Sequence, residues 1–444
     1  MQPRHIFTYE QTGNIIGMRL RLPMHPQEIP ALAAGTFRIK GVRGTVSAEI
    51  GRGMGKRTFL EFFAGGGMAR AGLGDGWRCL FANDFDEMKA AAYVANWGAD
   101  HLKQEDVANL ALLDLPDVVA DLAWASFPCQ DLSLAGAYQG LGLERDNART
   151  RSGTFWPFWK LMRALVEAGR APRTIVLENV PGCLTSHGGK DFAAIACALS
   201  DAGYRFGAAV INASHFVPQS RPRVFFIAAH QSESIPESLI ARSPQDEWRS
   251  ASLIQAHAGI PEKAKRNWVW WNFAKPPART TMFADLIEDP PTGVEWHTPA
   301  HTNYLLQLMS PLNRQKVADA MRSVSRAVGT VYRRTRPDAN GVRRQRAEVR
   351  FDDVAGCLRT PLGGSSRQTL ILIESKSVRS RLLSPREAAR LMGLDDNYQL
   401  PSRYNDAYFV CGDGVCVPVV RFVASRLLEP LLEFNRSTER IAAE

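Results

Sequence analysis

With 444 residues, 45% hydrophobic and 22% charged, the chain can bury a large core and has the composition of a globular protein, not a disordered one. Its 54 Lys and Arg outnumber 45 Asp and Glu, for a net charge of +9, and a pI near 9.3 makes an anionic partner worth testing without identifying it. No run of about 18 apolar residues marks a membrane span, and the opening MQPRHIFTYEQTGNIIG lacks the charged-then-apolar build of a signal peptide, so a cytoplasmic protein with no membrane partner is expected.

Residues 1 to 55 mix Pro, Gly and basic side chains without a sustained period and read as a partly disordered extension. From KRTFLEFFAGGGMARAGL onward the pattern changes. TFLEFFAG, CLFAND, ADLAWASF and RTIVLENV read as strands, and DEMKAAAYVANWG and WPFWKLMRALVEAG as helices between them. Strand and helix alternate over 56–232, which predicts an α/β fold with a doubly wound parallel sheet. Near residue 233 the alternation stops, so 233–352 is expected to be an inserted smaller domain. The amphipathic segments RLLSPREAARLMGL and VPVVRFVASRLLEPLLEF then return over 353–435 to complete the first domain, leaving 436–444 as a tail.

In FFAGGGMARAGL, residues Phe63 to Gly67 follow a predicted strand and precede a predicted helix. Glycines there permit positive φ and close backbone approach, and the helix start offers free N–H groups to a ligand. A tight connection would look the same. The next two strands each end in an acid, Asp84 and Asp106. An acid after the second strand of such a sheet commonly holds ribose hydroxyls, and one after the third suits an adenine amino group. Either acid would equally serve as a helix cap. Phe85, beside Asp84, is placed to stack on a purine or to pack in the core.

The seven cysteines show no metal-ligand spacing, so no metal site is expected. Most read as buried small hydrophobes. Cys129, in WASFPCQDLSLAG, stands apart because it lies just past the end of a predicted strand, at the edge where open α/β sheets bind ligands. A thiol is intrinsically very nucleophilic. On spacing alone, packing and catalysis remain equally open for it. Glu178 in IVLENVPG follows another apolar strand and would face the same pocket unless it caps a turn. In VPQSRPRVFFI, Gln219, Arg221 and Arg223 share one face of an extended segment and suit a phosphate or polar ligand edge, though a solvated strand edge would look similar.

Taken together, these segments resemble the DNA cytosine-5 methyltransferases that use S-adenosyl-L-methionine, of the bacterial type II restriction-modification kind. EFFAGGGM, NDFD, EDV, FPCQDLS, SGTFWPFWKLM, ENV, QSRPR, RLLSPREAARLMG and CGDGVCVPVV occur in the family's order, over about 57–232 and 353–430. The resemblance implies a Rossmann-like methyltransferase sheet with an inserted target-recognition domain. It also implies a catalytic set of Cys129, Glu178, Arg221 and Arg223. Cofactor contacts would come from Phe63, Ala64, Gly65, Gly67, Asp84, Phe85, Asp106, Val107, Pro128 and Asp413. Two positions depart from the family: Met68 stands where a second glycine is usual, and Asp413 follows Gly412 where asparagine is usual.

The implied partner is double-stranded DNA, bound by a monomer that protects sites against a separate cognate restriction endonuclease. The stretch LAGAYQGLGLERDNARTRSG after Cys129 resembles a mobile loop closing over DNA. Gln130 and Ser133, just before that stretch, and Arg145 within it are the implied DNA contacts. Within the insertion, VYRRTRPDANGVRRQRAEVRF reads as two strands about an Asn-Gly turn. It carries Arg333, Arg334, Arg336, Arg343, Arg344, Arg346 and Arg350, a β-ribbon suited to phosphates and guanine edges. WVWWNF reads as packing. Two rivals stand beside this reading: a tRNA cytosine-5 methyltransferase of the same fold, and a catalytically silent Rossmann-type DNA-binding protein. An amino-group methyltransferase would need an aromatic that DPPTG at 289–293 lacks.

Overall fold

The computed structural model describes residues 55–128, 154–243, 247–276, 278–323, 326–337, 341–359 and 367–443, plus four short strands nearer the amino terminus. The chain divides into two compact units, Met1–Gly55 and Lys56–Glu444. The first holds two antiparallel hairpins, Thr8–Thr12 (β1) with Ile15–Arg19 (β2), and Gly35–Ile39 (β3) with Val42–Val46 (β4). Gly13-Asn14 and Lys40-Gly41 separate the paired strands in sequence, and glycine-containing pairs suit tight hairpins.

The second unit is built on a seven-stranded sheet. Its strands are Arg57–Phe62 (β5), Trp77–Asp84 (β6), Leu102–Gln104 (β7), Leu122–Ala125 (β8), Thr174–Asn179 (β9), Tyr204–Asn212 (β10) and Pro222–His230 (β11). Their order is β10-β11-β9-β8-β5-β6-β7. Neighbours from β9 to β7 run parallel, whereas β11 runs antiparallel to both β9 and β10. Between the strands lie helices Met68–Leu73 (α1), Glu87–Trp97 (α2), Phe155–Glu167 (α3) and Lys190–Asp201 (α4). The chain builds outward from β5 through β6 to β7, then crosses back to β8. That reversal opens a crevice at the carboxyl ends of β5 and β8, where such sheets hold ligands.

Alternate strand residues feed two separate cores, as the period of a strand requires. Phe59, Leu122, Trp124 and Val176 join one cluster, while Leu60, Phe62, Ala123, Ala125, Ile175 and Leu177 join the other. Both faces are therefore covered, and β8 and β9 are buried along their whole length. Each large side chain so buried stabilises by roughly 1.5–3 kcal/mol.

Beyond β11 the described residues form α-helices Ala251–Ala258 (α5), Glu262–Lys265 (α6), Phe283–Leu286 (α7), Pro299–Gln307 (α8) and Pro311–Ser323 (α9). A second, antiparallel sheet follows, from Arg326–Pro337 (β12), Arg343–Arg350 (β13), Thr369–Glu374 (β14) and Ser377–Leu382 (β15), in the order β13-β12-β14-β15. The boundary expected at 352 therefore falls between strands of one sheet. The aromatic segment near residue 270 packs on the main sheet: Trp268 bridges Phe206, and Trp271, 1% exposed, donates to the Ile227 carbonyl at 3.0 Å.

Helices Pro385–Leu391 (α10), Tyr404–Asp413 (α11), Val417–Val423 (α12) and Glu429–Ala443 (α13) complete the unit. The segment Tyr404–Ala442 contains a stretch apolar enough for a membrane span, yet 67% of that stretch is buried inside the fold. Its hydrophobicity serves the core. Val420, for example, is fully buried and sits where any side chain on Gly72 of α1 would have to go.

Candidate active site

The parallel strands β5 to β9 deliver their carboxyl ends to one edge of the sheet. The antiparallel strand β11 brings its amino end to the same edge. The loop Phe63–Gly67, Asp84, Pro128, Glu178 and Arg223 come to this edge because of that topology, although they are spread over 160 positions of sequence.

The loop after β5 is shaped by backbone. Phe63, Gly65 and Gly67 have φ of 55°, 55° and 77°, and for phenylalanine this left-handed conformation is rare and strained. Asp84, at the end of β6, holds the loop in place: its Oδ2 accepts the Gly65 N–H at 2.8 Å and its Oδ1 accepts the Asp86 N–H at 2.9 Å. Burial pushes the Asp84 carboxyl up, and the Lys89 charge with these two N–H groups offsets only part of that. From behind, the Gly66 carbonyl accepts the Tyr398 hydroxyl at 2.7 Å and the Trp97 indole N–H at 3.1 Å. A Cβ on Gly66 would lie 2.2 Å from the Tyr398 oxygen, so this glycine serves the loop's support. Under the loop, burial raises the Glu61 carboxyl to about 8, leaving it largely uncharged at neutral pH.

Phe85 stands 66% exposed beside Asp84, an open aromatic face next to a carboxylate. Asp106 does act as a cap, with its Oδ1 accepting the Ala108 N–H at 2.9 Å over the short turn Val107–Asn109. Asp84 does not, because Asp86 caps α2 instead. A strained glycine loop at a helix start, a carboxylate on its edge, an exposed ring and a second acid one strand further fit a nucleoside-bearing cofactor.

On the other side of the crevice, Glu178 is 6% exposed at the end of β9, and its Oε1 pairs with Arg223 Nε at 2.9 Å. The register sets Glu178 opposite Phe225 and Asn179 opposite Val224, which brings Arg223 alongside. Asn179 reaches across to β8: its amide donates to the Phe127 carbonyl at 3.1 Å, one residue before Pro128. The strand carrying the carboxylate thus fixes the backbone that leads into Pro128 and Cys129.

Arg221 is only 2% exposed and donates to the carbonyls of Leu358, Gly412 and Gly414 at 3.1, 2.9 and 2.7 Å. These bonds make it a brace between β11, the chain after β13 and the end of α11. A phosphate would not reach it. Gln219, fully buried, adds to the brace by donating to the Leu391 carbonyl and accepting the Leu358 N–H. Cys357 lies 3.5 Å from Arg221. Burial alone would raise its thiol, but the charges of Arg221, Arg223 and Arg359 bring it below its ordinary value.

Both family departures have structural counterparts. Met68 opens α1 at 1% exposure, and a Cβ on Gly414 would lie 2.1 Å from its sulfur, so the larger residue fills the space that glycine leaves. Asp413 forms an ion pair with Lys89 at 2.8 Å.

A model of the C-5 cytosine-specific DNA methylases matches residues 57–429. The chain belongs to that family. Among curated relatives, the type II methyltransferase M.NlaX of Neisseria lactamica is 26% identical over 372 residues, covering 83% of this chain and 95% of that protein. M.HpaII of Haemophilus parainfluenzae is 25% identical over 396 residues, covering 85% and 90%. Solved structures include the S. pombe Dnmt2 methyltransferase, with a TM-score of 0.51 at 16% identity, covering 85% of this chain and 99% of that one. The Entamoeba histolytica methyltransferase EhMeth gives 0.52 at 14%, with the same coverage. At such identities the likeness is one of fold.

In this DNA methylase the second sheet presents the arginine ribbon. Arg334 faces Arg346 directly, and Arg336 faces Arg344. Arg333, Arg334, Arg343 and Arg344 are exposed, while Ala347 and Val349 turn inward against α9. Like charges set directly opposite across strands are destabilising. Part of that repulsion is offset within the sheet, where Arg334 pairs with Glu348 at 3.6 Å.

Cys129, Gln130, Ser133 and Arg145, and the side chain of Arg336, lie outside the described residues. Sequence reasoning missed Asn179, Tyr398, Trp97 and Lys89. Only the first had a local signal, since it follows Glu178 directly; the others act through contacts with residues at least 31 positions away.

Proposed function

We propose that this methylase transfers a methyl group from S-adenosyl-L-methionine to C5 of a cytosine flipped out of duplex DNA, through a covalent bond from Cys129 to C6, and that it marks sites in a restriction-modification system. The carrying observation is the Glu178–Arg223 pair at 2.9 Å, tied through Asn179 to the backbone entering Pro128 and Cys129.

Cytosine C5 is a poor nucleophile until the ring is activated. Attack of the Cys129 thiolate on C6 gives an enamine whose C5 accepts an electrophilic methyl, which the cofactor's sulfonium supplies when bound. Glu178 binds N3 and the exocyclic amine and gives a proton to N3, while Arg223, held by Glu178, is aimed at O2. Arg221 keeps this group in register. A solvent base then takes the C5 proton, the Cys129 sulfur leaves as thiolate and N3 returns its proton to Glu178, releasing 5-methylcytosine. The base must leave the stack to reach the thiol, at a cost of a few kcal/mol. On the cofactor side, Asp84 suits the ribose hydroxyls, Phe85 the purine face and Asp106 the adenine amino group, with Phe63, Ala64, Gly65, Gly67, Val107 and Pro128 lining the loop.

The arginine ribbon supports a duplex as substrate. Replacing Arg343 and Arg346 by glutamine is expected to weaken DNA binding and to reduce the slope of log affinity against log salt by about 2. Removing Arg346 alone should not lower the melting temperature, since Arg334 keeps its ion pair with Glu348 at 3.6 Å. An unchanged slope would take the ribbon out of the interface. Bisulfite sequencing of DNA from cells expressing the chain tests the whole reading: protected cytosines in one short sequence support it, and their absence together with a folded, well-expressed protein refutes it. A neighbouring endonuclease with the same target would support the protective role.

A further inference from the structure

Asp413 replaces an amide with a negative charge, and the structure pairs that charge with a residue that nothing in its local sequence marks out. Lys89 lies in the first turns of α2, and the acids acting on its ammonium are Asp413, Asp84 and Asp86. Asp84 is the residue that holds the Gly65 N–H. The end of α11 meets the same loop from the other side, since Gly414 abuts Met68 and Val410 abuts Gly66. Lys89 and Asp413 therefore bridge α2 and α11 at the rim of the glycine loop, with side chains 21% and 40% exposed.

This placement gives the pair electrostatic leverage over whatever occupies the loop. Resting on the cofactor reading above, the ligands that alternate there differ by one unit of charge. The methyl donor carries a sulfonium, an ammonium and a carboxylate, for a net charge of +1 by its chemistry. Its product, S-adenosylhomocysteine, has a neutral thioether and no net charge. The ammonium is common to both, so only the charge balance felt at sulfur distinguishes them. We propose that Lys89 and Asp413 form a charge-balanced pair that sets the pocket's preference between the cationic donor and its neutral product, with Asp413 favouring the donor and Lys89 restraining that preference. Lys89 is thus a specificity-determining residue in a position where its charge would otherwise oppose a cationic ligand.

The test is calorimetric titration of the full chain with S-adenosylmethionine and with S-adenosylhomocysteine, in the wild type, Asp413→Asn, Lys89→Met and the double variant. Asp413→Asn is expected to lower the donor-to-product affinity ratio by about fivefold, and Lys89→Met to raise it by a similar factor. The double variant should return to within about twofold of wild type, and the single effects should shrink at high salt. A pair that merely pins α11 to α2 would weaken both ligands alike and leave the ratio unmoved. An unmoved ratio in both single variants overturns the proposal, while the cofactor reading survives. If the folded wild type binds neither ligand, the cofactor reading falls and this inference falls with it.

Discussion

Cys129→Ser is expected to lower methyl transfer by roughly 10³-fold or more, because a serine hydroxyl is almost never ionised near neutral pH and attacks an electron-poor ring carbon weakly. Cofactor affinity should change little. The loop proposed to bind it is held by bonds linking Asp84, Trp97 and Tyr398 to Gly65 and Gly66. Single-turnover transfer to duplex DNA, run beside a cofactor titration, separates the two. Transfer within tenfold of wild type would sink the covalent mechanism. Cys357 is no substitute, because it sits against the Arg221 brace.

Glu178→Gln is the second large effect, a fall in kcat of about 10²- to 10³-fold with a much smaller change in DNA affinity. Glutamine keeps the length and one acceptor, so the strand end and the Asn179 bond to Phe127 should persist. It cannot deliver a proton to N3. It also leaves Arg223, only 14% exposed, facing a neutral amide. Melting temperature and kcat are the two readouts. Loss of activity together with loss of fold would instead assign Glu178 a structural role, and retention of more than a third of the activity would exclude it from the reaction.

Much of the sheet was legible because its strands are short, apolar and bounded by polar turns, as in RTIVLENV, so a local pattern sufficed. The ambiguity over Asp84 and Asp106 was real, and it resolved differently at the two sites. Capping depends on which backbone N–H a carboxylate meets. Asp106 meets the Ala108 N–H, whereas Asp84 reaches Gly65 on another strand's loop and leaves the capping of α2 to Asp86. Arg221 and Arg223 looked alike as alternate residues of one extended segment. Burial separates them: one is spent on three carbonyls, the other on the Glu178 carboxylate.

By itself the sequence determined the alternation of strands and helices, the family, and the set of residues with reactive or charged groups, since these depend on local periodicity and side-chain chemistry. Tertiary structure alone decided the rest. It set β14 beside β12 and β15 beside β14, which no local period announces, and brought Tyr398 to Gly66 across 332 residues. It also set Lys89 against Asp413, 324 positions apart. Such contacts arise where sheet order and helix packing bring distant segments together, and a chain read in order carries no record of that distance.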